Sequence, residues 1–331
     1  MAKRSRLTRW LYGIVVLIVA GAILIYLGPR THVSTDIKFD PATIGEDVED
    51  FIASQEARFS DIRPGQGKQI VWAYPASRAK TPLSLVYIHG FSASPGEIRP
   101  VMDIVAKDIG ANLFYTRLVG HGRTSDAMAE ATVEGWVNDL AEAIAIGRRL
   151  GERVILVGTS TGGTLTTWAA TQPDLTADVA GIVNIAPNYG IQAAGAGLLT
   201  IPWAKQILGV IAGERRSFEP KNDLQRANWT HEYPSEAVLP MAELVRLVKD
   251  SDFETIDIPI LFIFSENDTV VQPDATKVVA GRWGGESELV IINDSDDKDH
   301  HVIAGDAISP STTQKTVDII EQWIGKLPGE S

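Results

Sequence analysis

A serine stands in Gly158-Thr159-Ser160-Thr161-Gly162, directly after the apolar run Arg153-Val154-Ile155-Leu156-Val157 and before the helix-compatible stretch Gly163-Thr164-Leu165-Thr166-Thr167-Trp168. A buried strand that turns sharply into a helix at a serine leaves the hydroxyl at the apex of the turn, and glycines on both sides keep that turn free of side chains. The helix N-terminus that follows aims unpaired N–H groups at any negative charge that develops beside it. Ser160 is thus the candidate nucleophile for attack on a carbonyl carbon. Such an attack creates an oxyanion, which needs two amide donors. The backbone N–H of Thr161 is one candidate. The other is Phe91, in His89-Gly90-Phe91 at the end of the strand-like run Ser84 to Ile88. His89 precedes the nucleophile at a strand end and reads as a brace for this loop rather than as the catalytic base.

The elements that must hold these groups follow from periodicity. Ser84 to Ile88, Asn112 to Tyr115, Arg153 to Val157, Gly181 to Ile185, Ile260 to Phe264 and Glu288 to Ile292 are short apolar runs without alternation, the pattern of strands buried on both faces. Val133, Trp136, Val137, Leu140 and Ile144 share one helical face, with Thr132 placed as an N-cap, and Thr312 to Ile324 reads as a closing helix. Strand and helix in alternation predict an α/β fold, a mostly parallel sheet flanked by helices. Between about Asn188 and Phe253 the alternation stops. That stretch carries Trp203, Trp229, Tyr233 and several prolines among short helical patterns, and reads as an inserted helical cap. Its apolar run Ala193 to Ile211 has two readings, an acyl pocket or packing on the core. The acid-rich stretch Asp294 to Asp299 reads as a solvated turn.

Taken together, His89-Gly90-Phe91, the loop Arg117-Leu118-Val119-Gly120-His121-Gly122-Arg123-Thr124-Ser125 and the turn at Ser160 resemble the α/β-hydrolase superfamily, in detail its carboxylesterase and monoacylglycerol-lipase-like branch, from about residue 67 to 325. The resemblance implies the chain order serine, acid, histidine. An acid follows the strand in Pro259-Ile-Leu-Phe-Ile-Phe264-Ser-Glu266-Asn-Asp268-Thr-Val-Val271, where Asp268 and Glu266 compete, and the Asp-x-Val-Val pattern of relatives favours Asp268. In Asp299-His300-His301-Val302-Ile303 the relatives' histidine followed by two apolar residues selects His301 over His300. By the same resemblance His121 is structural. His231, in the cap, and His32, in the lead-in, receive no role. The implied activity is hydrolysis of carboxylic esters, lipid-like or of medium chain length, with no metal and no cofactor. Thioester or amide hydrolysis, as in thioesterases and aminopeptidase-like relatives, stays open beside it, as does a non-catalytic, membrane-tethered binding module.

Composition limits the setting. A formal charge of −12 without a basic block beyond the N-terminus excludes a nucleic-acid partner, and the absence of cysteine removes disulfides, thiolate metal sites and a thiol nucleophile. Trp10 to Leu27 is an uncharged apolar run behind Lys3, Arg4, Arg6 and Arg9. It reads as an uncleaved anchor, with a cleaved signal peptide as the rival, and the cations keep the N-terminus in the cytoplasm. The expected organisation is an anchor over 1–30, a lead-in over 31–66 and a hydrolase domain over 67–331 with its cap at about 188–253. The expected location is a bacterial-type inner membrane, spanned once, with the domain on the periplasmic side and no protein partner assigned.

Overall fold

Strands without a polar face have to be covered on both sides, and that requirement sets the architecture. In a computed structural model of the chain, residues 6–328 are described; Lys3 and Arg4 of the cationic cluster, and the final residues 329–331 of the expected domain, lie outside the described residues. The strands are β1 (Gln69–Val71), β2 (Thr81–Ile88), β3 (Asn112–Tyr115), β4 (Gly151–Thr159), β5 (Val179–Ile185), β6 (Arg215–Ser217), β7 (Glu232–Pro234), β8 (Ile260–Phe264) and β9 (Ser287–Ile291). Seven of them form one sheet in the order β1-β3-β2-β4-β5-β8-β9, parallel except for β1. Strand geometry sends successive side chains to opposite faces. Val154 and Leu156 of β4 accordingly enter one hydrophobic core, and Ile155 and Val157 enter the other.

The helices are α1 (Arg6–Tyr26), α2 (Val48–Glu56), α3 (Val101–Asp108), α4 (Val133–Leu150), α5 (Thr161–Ala170), α6 (Pro173–Thr176), α7 (Ala204–Ala212), α8 (Asp223–Asn228), α9 (Val238–Lys249), α10 (Pro273–Arg282) and α11 (Thr313–Ile324). Trp136 and Leu140 of α4, Leu165 of α5 and Leu244 of α9 cover one face of the sheet. Met102 and Val105 of α3, with Val317 and Ile320 of α11, cover the other. Thr132 caps α4, its side chain accepting from Gly135 N at 2.9 Å. Between β5 and β8 the chain leaves the sheet for α7, the antiparallel ribbon β6–β7, α8 and α9. The ribbon is a small difference from the strand-free reading of this stretch: its three-residue strands are too short to leave a periodic signal.

Two further differences have physical causes. The strand expected at Glu288 to Ile292 is β9, the sheet's edge, and it is not buried on both faces: Leu289 and Ile291 are exposed. The lead-in over 31–66 carries more structure than its sequence suggested. Val48, Phe51 and Ile52 of α2 are buried in the same core as Trp136, and Arg117 Nη2 pairs with Glu56 Oε1 at 2.7 Å.

Helix α1 contains one apolar stretch of 19 residues, Thr8–Tyr26, none of it buried. At about 1.5 Å per residue it is long enough to cross a hydrocarbon core of about 30 Å with slight thinning. Its far end touches the segment between β5 and β8: Trp203 Nε1 donates to Leu24 O at 3.1 Å, and Trp203 N donates to Pro29 O at 2.8 Å.

If α2 is integral to the core, Phe51→Ala should lower the unfolding free energy by about 3 kcal/mol in a denaturant titration; a loss below about 1 kcal/mol would detach the lead-in from the fold.

Candidate active site

In a doubly wound sheet a crevice opens at the carboxyl ends of the strands where their order reverses. Here β3 lies to one side of β2 and β4 to the other, so the reversal falls between β2, which ends before His89-Gly90-Phe91, and β4, which ends before Ser160. Ser160 has φ 51° and ψ −112°, a conformation L-residues rarely adopt, at a cost of about 1–3 kcal/mol. The surroundings hold it there. Its N–H donates to Ile185 O at 2.9 Å, and its carbonyl accepts from Thr164 N at 3.1 Å and Asn188 N at 3.0 Å. A Cβ on Gly162 would fall 2.0 Å from the carbonyl oxygen of Ile88, and one on Gly158 would fall 2.5 Å from the carbonyl of Gly162. Only glycines let α5 sit this close to the end of β2.

The structure brings Ser160 together with two residues from distant loops. Asp268, just past β8, is fixed by two N–H donors, Val270 at 2.7 Å and Val271 at 2.9 Å, both to Oδ1. Its Oδ2 lies 2.7 Å from His301 Nδ1, and His301 Nε2 lies 3.1 Å from Ser160 Oγ. With Nδ1–H given to the carboxylate, the lone pair of Nε2 faces the serine hydroxyl. Burial by itself lowers the His301 pKa. The hydrogen bond and charge of Asp268, helped by Asp297 and Glu97, outweigh it and raise the value above the ordinary 6.5. The rivals lie elsewhere: Glu266 pairs with Lys277 at 2.7 Å, and His300 does not line the cavity at Ser160.

Phe91 and Thr161 line the same cavity as Ser160 and His301. Thr161 opens α5, so its N–H has no intrahelical acceptor. The loop before Phe91 is held by buried groups. His89 gives Nδ1–H to Gly90 O at 2.8 Å and accepts Leu118 N at Nε2, 3.1 Å away. His121 accepts Ser92 N at Nε2, 3.0 Å away, and gives Nδ1–H to Val119 O at 3.2 Å. Both rings therefore need to be neutral. Burial does this, pushing His89 down to about 4 and His121 well below the usual imidazole range.

Glu97 has no counterpart among the residues singled out by sequence. Its Oε1 accepts Gly90 N at 2.6 Å and Tyr87 Oη–H at 2.8 Å, and that tyrosine oxygen also lies 2.8 Å from Thr159 Oγ1. The carboxyl thus joins β2, the loop before Phe91 and the end of β4. Burial pushes it up to about 7. Asp297 was missed for a related reason. It belongs to the acid-rich stretch read as a solvated turn, yet it is buried and accepts the backbone N–H groups of His301 and Val302. The only local signal for either was a carboxylate near a candidate catalytic loop, and burial is not visible in one sequence.

The cavity occupies about 370 Å³. Its lining combines the apolar Phe91, Phe218, Trp229, Met241 and Val271 with the polar Glu219, Lys221, Gln225 and Asp299. Thr161 Oγ1 and Asn188 Oδ1 are buried without a hydrogen-bond partner. Among the described residues no group of three or more histidine, aspartate or glutamate side chains is arranged to hold a metal ion.

Removing Glu97 should strip an acceptor from two buried donors. Glu97→Ala should cost about 2–4 kcal/mol in denaturant unfolding, and Glu97→Gln, which keeps an acceptor oxygen, less. The raised pKa means the native state holds the Glu97 proton more tightly than the unfolded chain, so its stabilising contribution is complete below about 4.5 and fades as pH rises through about 7. The stability deficit of Glu97→Gln should therefore shrink between acidic and mildly alkaline pH; a constant deficit would contradict a neutral Glu97.

The model of the alpha/beta hydrolase family matches residues 85–306. A thermostable monoacylglycerol lipase from Bacillus sp. (strain H-257) is 26% identical over 254 residues, which is 76% of this chain and 96% of that protein. Among solved structures, one from the metagenome-derived lipolytic enzymes LipS and LipT aligns with a TM-score of 0.59 at 20% identity, covering 79% of this chain and 99% of that one. A soluble variant of monoglyceride lipase from Saccharomyces cerevisiae, in complex with a substrate analogue, aligns with a TM-score of 0.61 at 14% identity over 78% of this chain and 90% of that one. The reversal of strand order, the serine turn at its edge and the family match over most of the sheet agree, and the chain belongs to the alpha/beta hydrolase family.

Proposed function

We propose that the chain is a membrane-anchored serine hydrolase that cleaves carboxylic esters through an acyl-enzyme on Ser160. The observation that carries this reading is the continuous chain from Asp268 through His301 to Ser160, at 2.7 and 3.1 Å, opening on a cavity lined by Phe91 and Thr161. His301 Nε2 takes the hydroxyl proton as Ser160 Oγ attacks the carbonyl carbon, and Asp268 stabilises the imidazolium. The N–H groups of Phe91 and Thr161 hold the oxyanion. His301 then protonates the departing alcohol, and a water activated by the same imidazole releases the acid. Each proton taken is returned, so no cofactor is consumed.

A lipid-like or medium-chain acyl ester fits the mixed apolar and polar lining of the cavity. The acyl chain would lie against Phe218, Trp229, Met241 and Val271, while a polar alcohol portion would meet Gln225 and the unpartnered Asn188 Oδ1. The Bacillus relative's description as a monoacylglycerol lipase supports the same class. The exposed apolar helix α1 supports anchoring, and Arg9 with the cations before it supports an N-terminus in the cytoplasm and a catalytic domain on the outer face of a bacterial-type inner membrane. On this reading residues 1–30 are the anchor, 31–66 the lead-in and 67–331 the hydrolase domain. The stretch at about 188–253 is its cap, whose Trp203 meets the anchor's end at Leu24 and Pro29.

Two outcomes test the reading. Ser160→Ala should reduce turnover of p-nitrophenyl esters by roughly 10⁴-fold or more with unchanged far-ultraviolet circular dichroism, and the wild type should prefer medium or long acyl chains to acetate. Surviving turnover would remove Ser160 from the chemistry, and a flat chain-length profile would remove the lipid-like substrate. Because His301 must be neutral to accept a proton and its pKa is raised, kcat/KM should reach half its maximum above pH 6.5; a midpoint below about 6 would contradict the pairing with Asp268.

A further inference from the structure

Asp297 sits where a charge is costly. It is 3% exposed, and the loop that carries His301 closes around it. Asp297 Oδ2 accepts His301 N at 3.1 Å and Val302 N at 2.9 Å, its backbone carbonyl accepts His300 N at 3.0 Å, and His300 takes a left-handed conformation with φ 53° to complete the turn. Oδ1 receives Lys221 Nζ, which also reaches Asp299 Oδ2 at 3.0 Å. Lys221 belongs to neither the loop nor the sheet. It lies between β6 and α8, in a strap that grips both sides of the site: Asn222 Nδ2 donates to Ala307 O at 2.6 Å, and Thr230 N donates to Ser92 O at 2.7 Å. Arg63 fastens the strap from the lead-in, through the carbonyls of Arg226 at 2.7 Å and Trp229 at 2.9 Å.

We propose that Lys221 is a positioning residue for His301: acting through Asp297, it holds the imidazole in line between Asp268 and Ser160. The inference rests on the hydrolase reading of that trio. A carboxylate taken out of water needs a counter-charge; without one, Asp297 stays ionised on its backbone N–H donors but draws in water, which weakens its grip on the N–H groups of His301 and Val302. Lys221 provides that charge from outside the loop. It is also the only lysine or arginine among the residues lining the cavity. The carboxyl groups gathered around His301 are Asp268 after β8, Asp297 and Asp299 on its own loop, Glu97 after β2 and Glu219 on the strap, and the loop itself also carries Lys298 and His300. The signs of the single changes follow. Removing the cation leaves the imidazolium in a more negative field and raises its midpoint; neutralising Asp297 lowers it.

The experiment uses the full chain in detergent micelles with 13C-labelled histidine. The His301 titration is followed by NMR and kcat/KM against pH with p-nitrophenyl butyrate, for wild type, Lys221→Met, Lys221→Arg and Asp297→Asn. Lys221→Met should raise the His301 midpoint by about half a pH unit, move the acidic limb of kcat/KM with it, and lower kcat roughly tenfold while KM changes by less than about twofold. Lys221→Arg should restore both, and Asp297→Asn should shift the midpoint the other way. An unmoved midpoint in Lys221→Met, or shifts of the same sign in Lys221→Met and Asp297→Asn, would overturn the proposal, since a merely structural strap would change stability without moving the titration. Should Asp297→Asn fail to fold, the comparison of Lys221→Met with Lys221→Arg decides alone. A wild type that turns over no ester while the midpoints still move as stated would sink the hydrolase reading and keep the positioning role; normal turnover with fixed midpoints would do the reverse.

Discussion

The site is organised around one close approach, the N-terminus of α5 against the end of β2. A side chain at Gly162 would collide with the Ile88 carbonyl, so the sequence keeps glycine there and the helix comes down directly behind the strand. That contact packs the start of α5 against His89 and Gly90, in the loop that carries Phe91, and goes with the strained turn of Ser160 at the edge of the crevice. The strain is repaid by the sheet on either side. β4 is paired with β2 along one flank and with β5 along the other, so the turn hangs from the most deeply buried part of the molecule.

Charge is distributed around that turn in a consistent way. His89 and His121 are kept neutral by burial because each must both give and accept a hydrogen bond in the loop before and after Phe91. His301 is treated oppositely: it is only partly exposed, and it faces carboxylates that favour its cation. The two fully buried imidazoles and the partly exposed one thus have opposite tendencies, set largely by the groups each ring meets. Glu97 behaves as a neutral bracket near mild pH, whereas Asp297, bonded to Lys221, stays below the usual carboxylate range.

How much of this was legible depended on sequence distance. The strands were readable because β-branched runs buried on both faces carry their signature in five consecutive residues, and β9 misled because an edge strand has the same composition with different neighbours. Ser160 was readable because its strand, glycines and helix are contiguous. Asp268 and His301 sit 33 positions from each other, and His301 sits 141 positions from Ser160, so nothing local joined them; only the resemblance to a family singled them out. Glu97, Asp297 and Lys221 stayed invisible because their significance lies in burial and in one partner from another segment. Helix α2 was missed because a nine-residue, acid-rich segment with three buried apolar positions gives barely one turn of periodicity.

The central claim is that Ser160 is made nucleophilic by His301. Reaction of the full chain with a fluorophosphonate, followed by intact-mass and peptide mapping, tests it most directly. One adduct per chain on Ser160 in the wild type, and its loss or strong slowing in His301→Ala with the fold retained, is the result the account predicts. An unmodified Ser160, or labelling that proceeds equally fast without the imidazole, would contradict it.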